Sequence, residues 1–288
     1  MAVPMIKQAI LLCLAFAAPV SAQTTGQTSG QTSGPSLTLA DRVKSSTLSR
    51  DALLARPDAV EVTIARDPVY GGRAMSYRAI PAAALLQELA VGADDFVQAR
   101  ATDDFSVSIP ARLLTAAAGS DVEAFVAIET AAAPWPPLPG ANKKGSAGPF
   151  TIVWRMTTPG SVSGEYWAYH LAALTIVDSP YKRWPQLAVG ADVPAVDPVR
   201  QGLDRYVAVC MACHRFDGAG DGTMGPDLAR PLNPAEWFQP DALRKFIRDP
   251  KSVRDWPDAK MAAADPESLP DADIDAIVAW LTYKARRK

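Results

Sequence analysis

Cysteine and histidine are scarce in this chain, which has three cysteines and two histidines among its 288 residues. A structural zinc site needs four ligands, and the C-terminal half offers only two cysteines and one histidine, so it cannot hold such a site. A Ser-His-Asp triad would have to use His170, the only histidine of the N-terminal half, and no Gly-x-Ser-x-Gly elbow accompanies it. We therefore expect no triad hydrolase.

Charge of one sign and long hydrophobic runs are lacking as well. The 29 Lys and Arg residues nearly balance the 31 Asp and Glu residues, which argues against binding to nucleic acid or to anionic membranes. Beyond the N-terminal segment no run approaches about 20 uninterrupted apolar residues, the length needed to cross a bilayer. We therefore expect no membrane span in the mature protein.

The N-terminal segment has the layout of an export signal. Lys7 precedes an apolar run, and Val20-Ser21-Ala22 supplies the small-x-small pattern of a cleavage site. We expect residues 1–22 to be a signal peptide cleaved near Ala22, which makes the mature protein periplasmic; a retained N-terminal anchor is the alternative. The repeats in "QTTGQTSGQTSG" that follow are polar and predict a flexible leader over residues 23–36.

The N-terminal half has the two-residue periodicity of β-strands. Val60, Val62 and Ile64 alternate with other residues in "AVEVTIAR", and "DFSVSIP" repeats the pattern. Further strand candidates are "AFVAIE", "GPFTIVWRM" and "LAALTIV", whereas "PAAALLQELAV" predicts a short helix that starts at Pro81. The pattern predicts a β-rich α+β domain over residues 37–180.

The C-terminal half reads as helices joined by irregular loops. Val199, Leu203 and Tyr206 share one helical face, and "PDALRKFIRD" and "LPDADIDAIVAWLTYKARRK" predict two more helices. We therefore expect an all-α domain over residues 198–288. The proline-rich segment before it, residues 181–197, predicts an extended linker between the two domains.

Residues 210–214 read "CMACH" and contain both cysteines that remain after signal cleavage. A thioredoxin-like redox pair requires Cys-x-x-Cys at a strand-to-helix turn, whereas this motif follows a predicted helix, and a plain disulfide does not require His214 next in line. Covalent attachment of haem c uses all three side chains, because Cys210 and Cys213 form thioethers while His214 ligates the iron. We therefore predict one covalently bound haem c.

The second axial ligand of such an iron is predicted to be Met261. It lies in "WPDAKMAAADP", an irregular loop that can present a thioether from the opposite side of the haem. Met211 and Met224 lie too close to the attachment motif, and His170 sits in an apolar, aromatic stretch where a local hydrogen bond is expected. A packed apolar Met261 is the alternative. A His/Met pair raises the reduction potential and leaves no open iron site, which is typical of electron transfer rather than catalysis.

With these features the C-terminal half resembles a class I cytochrome c domain. The resemblance covers about 90 residues and depends on the helix before "CMACH", on "GTMGPDL" and on the helix ending in "AWLTYKARRK". It implies that the Pro226 carbonyl accepts a hydrogen bond from the ligating imidazole, that Leu228 packs on the haem edge and that Trp256 donates to a haem propionate. The family often has proline after the ligating methionine, where this chain has Ala262.

The N-terminal half is similar in pattern to the sulfite-oxidase-type molybdopterin-binding domain. The similar stretches are "VEVTIARDP", "YRAIPAAALLQELAV", "DDFSVSIPARLL", "FVAIE" and "AGPFTIVWRM". In that family a cysteine thiolate ligates molybdenum, but no cysteine lies between Cys13 and Cys210. The resemblance therefore implies a shared fold without the activity, and we expect no molybdenum cofactor.

The sequence thus predicts a periplasmic single-electron carrier with two domains. The N-terminal domain is expected to dock it onto a redox partner protein, a dehydrogenase or an oxidase. Two other functions stay open: a molybdenum-dependent oxidoreductase that passes substrate electrons to the haem, and a haem-based sensor with an open iron site. Molybdenum content distinguishes the first from a carrier, and carbon monoxide binding by the reduced protein distinguishes the second.

Overall fold

A computed structural model describes residues 34–140, 145–257 and 259–287. The expected signal peptide, with Cys13, and most of the expected leader lie outside the described residues. Ser36, placed at the end of that leader by its composition, is the first residue of a β-strand. The leader therefore cannot extend to residue 36.

The part of the chain from residue 36 to residue 177, called the sheet-rich part below, contains nine strands among its described residues. They are β1 (Ser36–Ala40), β2 (Ser45–Ser49), β3 (Val60–Asp67), β4 (Arg73–Pro81), β5 (Phe96–Ala101), β6 (Ser106–Pro110), β7 (Val122–Ile128), β8 (Phe150–Met156) and β9 (Leu171–Val177). One sheet has the order β2-β1-β9-β5-β6 and the other β3-β4-β7-β8. All neighbours are antiparallel except β1 and β9, which run parallel.

Short helices connect the strands, and longer helices follow them. The described helices are α1 (Arg50–Leu54), α2 (Ala82–Leu86), α3 (Ala111–Leu114), α4 (Pro180–Arg183), α5 (Pro198–Arg205), α6 (Pro234–Trp237), α7 (Pro240–Arg248), α8 (Pro250–Val253) and α9 (Asp271–Ala285). Residues 198–287 contain the last five of these and form the helical part. None of the helices that the structure describes is long and apolar enough to span a membrane.

The two sheets share one hydrophobic core. The alternation expected in β3 is present at Val62 and Ile64, which are buried with an exposed residue between them, but Val60, the first residue of the strand, is 40% exposed. The two buried side chains belong to the same cluster as Val97 of β5 and Trp154 of β8. The sheet-rich region expected from the sequence is therefore present, with short helices as predicted for an α+β domain.

The proline-rich segment 181–197 is not extended along its length, contrary to the prediction. It continues from α4 into a 3-10 turn over Pro185–Leu187, and the Leu187 side chain is fully buried. The prolines explain the difference, because Pro180 and Pro185 each occupy a first helical position, where the fixed φ angle of proline starts a turn.

The helical part has its own core, centred on the crossing of α5 and α9. Gly202 lies at the crossing: a Cβ added there would be 1.9 Å from the Ala276 carbonyl oxygen. The Tyr206 and Trp280 rings stack beside it, with their centroids 4.5 Å apart. Each part thus has its own hydrophobic cluster, as expected for two domains, although the described residues pack as one compact unit.

Candidate functional site

The CMACH motif closes a helical turn at the end of α5. Asp197 caps α5 by accepting a hydrogen bond from the Val199 amide at 2.9 Å. After Arg205 the chain continues as a π-helix over Tyr206–Cys210. Such wide turns occur often at functional sites. We refer to residues 206–214 as the Cys-His turn.

The two thiols of this turn are free and do not form a disulfide. Burial, followed by the negative charge of Glu165, raises the pKa of Cys210 to about 12 and that of Cys213 to about 11. Reactive Cys-x-x-Cys pairs have a lowered thiol pKa instead. The burial of the two thiols and their raised pKa values therefore argue against a thiol redox pair, and both sulfurs are available for a covalent group.

The His214 ring is held in one orientation by Pro226. Its Nδ1 lies 2.8 Å from the Pro226 carbonyl oxygen. A carbonyl only accepts hydrogen bonds, so Nδ1 must carry the ring hydrogen, and the lone pair of the neutral ring lies on Nε2. Histidines that bind a metal through Nε2 typically have this tautomer and donate their Nδ1 hydrogen to such a carbonyl.

Gly225 makes room for the imidazole. A Cβ added at this position would lie 2.3 Å from Cε1 and 2.9 Å from Nε2 of His214. The Gly225 amide also donates to the Cys213 carbonyl at 2.9 Å, which fixes the loop against the turn. Sequence reasoning singled out Pro226 but missed Gly225, because the contact depends on how the loop folds back.

The loop that carries Pro226 is closed by Asp227. Its carboxylate accepts hydrogen bonds from the amides of Asp217, Gly218 and Ala229 at 2.8–2.9 Å. Burial alone would raise the pKa of Asp227, but these three donors outweigh it, and the pKa is lowered. Leu228, the next residue, packs against the core of the helical part.

Trp256 and Met261 lie on the irregular segment between α8 and α9. Their relative exposures are 44% and 38%, and neither side chain belongs to the two hydrophobic clusters. The segment is tied to α7, because Arg248 exchanges hydrogen bonds with Ala264 at 2.9 Å. The structure thus brings together the Cys-His turn, Pro226 and Leu228, whereas Trp256 and Met261 remain on a separate, tethered segment.

The second histidine takes part in local contacts of the sheet-rich part. His170 precedes β9 with a φ of 55°, and its Nε2 lies 2.8 Å from the Ser146 carbonyl oxygen. Within the described ranges, no group of three or more His, Cys, Asp and Glu side chains could hold a metal ion. The donor set with a defined chemistry is therefore the one in the Cys-His turn.

This donor set fits haem c. Two free thiols for thioether bonds lie three residues apart, and the adjacent His214 has an oriented ring with its Nε2 lone pair free of any hydrogen bond recorded for the described residues. The close approach of Gly225 to the ring is a cradle that a side chain would fill. Pro226 supplies the partner that orients an iron-ligating imidazole.

Comparison with known families agrees with this geometry. The family model described as "Cytochrome C oxidase, cbb3-type, subunit III" matches residues 197–281. The matched span runs from the cap of α5 into α9 and includes the Cys-His turn, Pro226 and Met261. No curated protein matches the chain. The family match supports a cytochrome c domain over residues 197–281, and such a domain implies haem c and electron transfer with a redox partner.

Proposed function

We propose that this protein is a periplasmic c-type cytochrome that carries single electrons through one haem. Cys210 and Cys213 would attach the haem covalently, and His214 through Nε2 and Met261 through its sulfur would hold the iron. A haem bound there would supply one-electron redox chemistry. The protein residues hold, orient and shield it.

The hydrogen bond from His214 Nδ1 to the Pro226 carbonyl carries this proposal. This bond makes the ring a better ligand. Donation of the Nδ1 hydrogen to the carbonyl increases the electron density on Nε2, and it prevents rotation of the ring. A histidine in a merely structural role would not need an oriented ring, a glycine that leaves room for that ring and two free thiols in the same turn.

The proposed pocket also includes Leu228, which lies at its edge, and Trp256, whose indole is a candidate donor to a haem propionate. Met261 stands on a segment exposed enough to close over a bound group. Occupation of both axial positions by protein side chains would leave no site for substrate, which favours an electron carrier over an oxygen-binding sensor.

We propose that the sheet-rich part has the sulfite-oxidase-type fold without its molybdenum chemistry and serves to dock a redox partner. The chain has no cysteine between Cys13 and Cys210 that could act as the molybdenum ligand. The partner is a dehydrogenase or an oxidase; the name of the matching family favours an oxidase as the electron acceptor.

The ligand assignment is tested by comparing Met261→Ala with Met224→Ala in protein loaded with haem during export. Both methionines are exposed, by 38% and 52%, so the second variant is a matched control. We expect Met261→Ala to lose the sulfur-to-iron charge-transfer band, to bind carbon monoxide when reduced and to have a lower reduction potential. Met224→Ala should retain the wild-type spectrum. Carbon monoxide binding by the wild type would instead favour a sensor.

The cofactor assignment is tested by the metal content of the same preparation. About one iron per chain, with a thioether-linked haem spectrum, is expected from the single attachment motif. A Cys210→Ala, Cys213→Ala variant should lose the covalent haem. Appreciable molybdenum in the wild type would show that the sheet-rich part is an active site and that the chain is an oxidoreductase.

A further inference from the structure

The sheet-rich part contacts the helical part at the segment that is proposed to hold haem. The loop that follows β8, residues 158–165, makes this contact and is called the clamp loop below. The Ser163 hydroxyl donates to the Ala208 carbonyl, inside the Cys-His turn, at 2.7 Å. Beside this bond Ala212 is buried in the core of the sheet-rich part, and Cys213 packs against that core.

The clamp loop also contacts the segment that leads from Met261 to α9. Gly160 has a φ of +77°, and a Cβ added there would be 2.1 Å from the Glu267 carbonyl oxygen. No side chain therefore fits at Gly160 unless this segment moves. An ion pair of 3.3 Å between Arg66 of β3 and Glu267 joins the same two parts.

A third contact involves the loop that carries Pro226. Gln98 of β5 donates to the Asp221 carboxylate at 2.7 Å, and Arg183 of α4 donates to both of its oxygens at 3.1 Å. All three segments of the proposed haem site are thus tied to the sheet-rich part: the Cys-His turn, the Pro226 loop and the Met261 segment.

We propose that the clamp loop is a positioning element for the iron ligands, in which Ser163 and Gly160 fix the separation of the Cys-His turn from the Met261 segment. This inference rests on the proposed function. The methionine sits on an irregular segment, and Ala262 does not stiffen it as a proline would. A fixed contact at Glu267 limits its movement, and a fixed contact at Ala208 limits that of the histidine. The sheet-rich part is then a structural wall of the redox site in addition to any docking role.

The test uses matched pairs of variants in the haem-loaded full chain. Ser163→Ala removes the bond to Ala208 together with the bond that the hydroxyl accepts from the Glu165 amide at 3.3 Å, whereas Ser161→Ala removes only a local bond to Thr158. Gly160→Ala inserts the clashing Cβ, whereas Gly119→Ala places the same side chain at a similar φ of +84° with no atom within 4 Å. Ser161→Ala thus reproduces the loss of a hydroxyl without changing the contact at Ala208. Gly119→Ala reproduces the backbone strain without changing the contact at Glu267.

We expect Ser163→Ala and Gly160→Ala to weaken the sulfur-to-iron charge-transfer band and to lower the reduction potential. We also expect the carbon monoxide affinity of the reduced protein to increase, because a weakened methionine bond leaves its position on the iron open to another ligand. Ser163→Thr keeps the hydroxyl and should restore the wild-type values. All measurements are made well below the unfolding temperature, so a purely structural loss would leave them unchanged.

Two outcomes overturn the inference. If both members of each pair retain the wild-type spectrum, potential and carbon monoxide affinity, the clamp loop does not position the ligands, while the proposed electron carrier stands. If the wild type carries no covalent haem, the proposed function fails and this inference fails with it. The haem spectrum of the wild type therefore distinguishes the two failures.

Discussion

Glu165 forms no ion pair with a cationic side chain among the described residues. It follows the Ser163 contact by two positions, is half-buried, and its charge acts on the two thiols of the Cys-His turn. Burial raises the pKa of the Glu165 carboxyl above its ordinary value of 4.5. The folded protein therefore keeps Glu165 protonated up to a higher pH than the unfolded chain does.

The sign of the resulting pH dependence follows from this raised pKa. The contribution of Glu165 to the free energy of unfolding is fully present below pH 4.5, the pKa of the carboxyl in the unfolded chain. It is lost as the pH rises through the pKa of the folded protein, because ionisation then places an uncompensated charge at the interface. We expect Glu165→Gln to remove this decline in denaturant unfolding measured from pH 4 to 8. Glu88→Gln, at a side chain 71% exposed, should retain the wild-type profile. An unchanged decline in Glu165→Gln would contradict the assignment.

Single residues differ in how far the sequence reveals them. Cys210, Cys213 and His214 could be identified because they are adjacent in the chain, and Pro226 because it belongs to a recognisable short motif. Gly225, Ser163 and Glu165 could not, since their significance comes from atoms distant in sequence that the fold brings near: the imidazole, the Ala208 carbonyl and the two thiols. Sequence periodicity does not predict such contacts.

At the scale of elements, sequence periodicity predicted the strands and helices that have one buried face and one exposed face. The alternation in β3 and the amphipathic face of α5 were visible because one face of each is buried. β1, β2, β4 and β5 were missed. β1 pairs in parallel with the distant β9, and β5 lies between β9 and β6 with buried residues on both faces. The π-helix after α5 was missed too, because its wider turn depends on packing rather than on propensity.

At the crossing of α5 and α9 we expect a Gly to Ala substitution to lower the stability of the protein, whereas such a substitution inside a helix usually raises it. Gly to Ala inside a helix ordinarily stabilises by about 0.5–1 kcal/mol. At Gly202 the added methyl would lie 1.9 Å from the Ala276 carbonyl oxygen, so the helices must move apart. We expect Gly202→Ala to destabilise the protein by about 1–3 kcal/mol, the usual cost of overpacking.

Chemical denaturation followed by far-UV circular dichroism and by haem absorbance measures this change. A loss of stability with an unchanged m-value is expected, because the same surface is exposed on unfolding. A stabilised Gly202→Ala variant would mean that the two helices are not in close contact. In that case the stacking of Tyr206 on Trp280 next to the crossing would also be in question.

At the scale of the whole molecule, the two hydrophobic clusters do not imply two independent units. Phe96 of β5 belongs to the core of the helical part, and Ala212 of the Cys-His turn belongs to the core of the sheet-rich part. Composition could indicate a change from strands to helices near the proline-rich segment, but not this exchange of side chains across the boundary. The two parts are therefore expected to unfold together.

Asp221 gives this expectation its sharpest test, because it accepts bonds from Gln98 in the sheet-rich part and from Arg183 in α4. In the wild type, far-UV circular dichroism and haem absorbance should report one coincident transition. Asp221→Asn weakens these charged hydrogen bonds, each worth about 1.5–3 kcal/mol, so the haem transition should move to lower denaturant and separate from the other. Asp217→Asn is the control, since that carboxylate pairs with Arg230 within the helical part. Two separate transitions in the wild type would show that the sheet-rich part is not a wall of the redox site but an independent module.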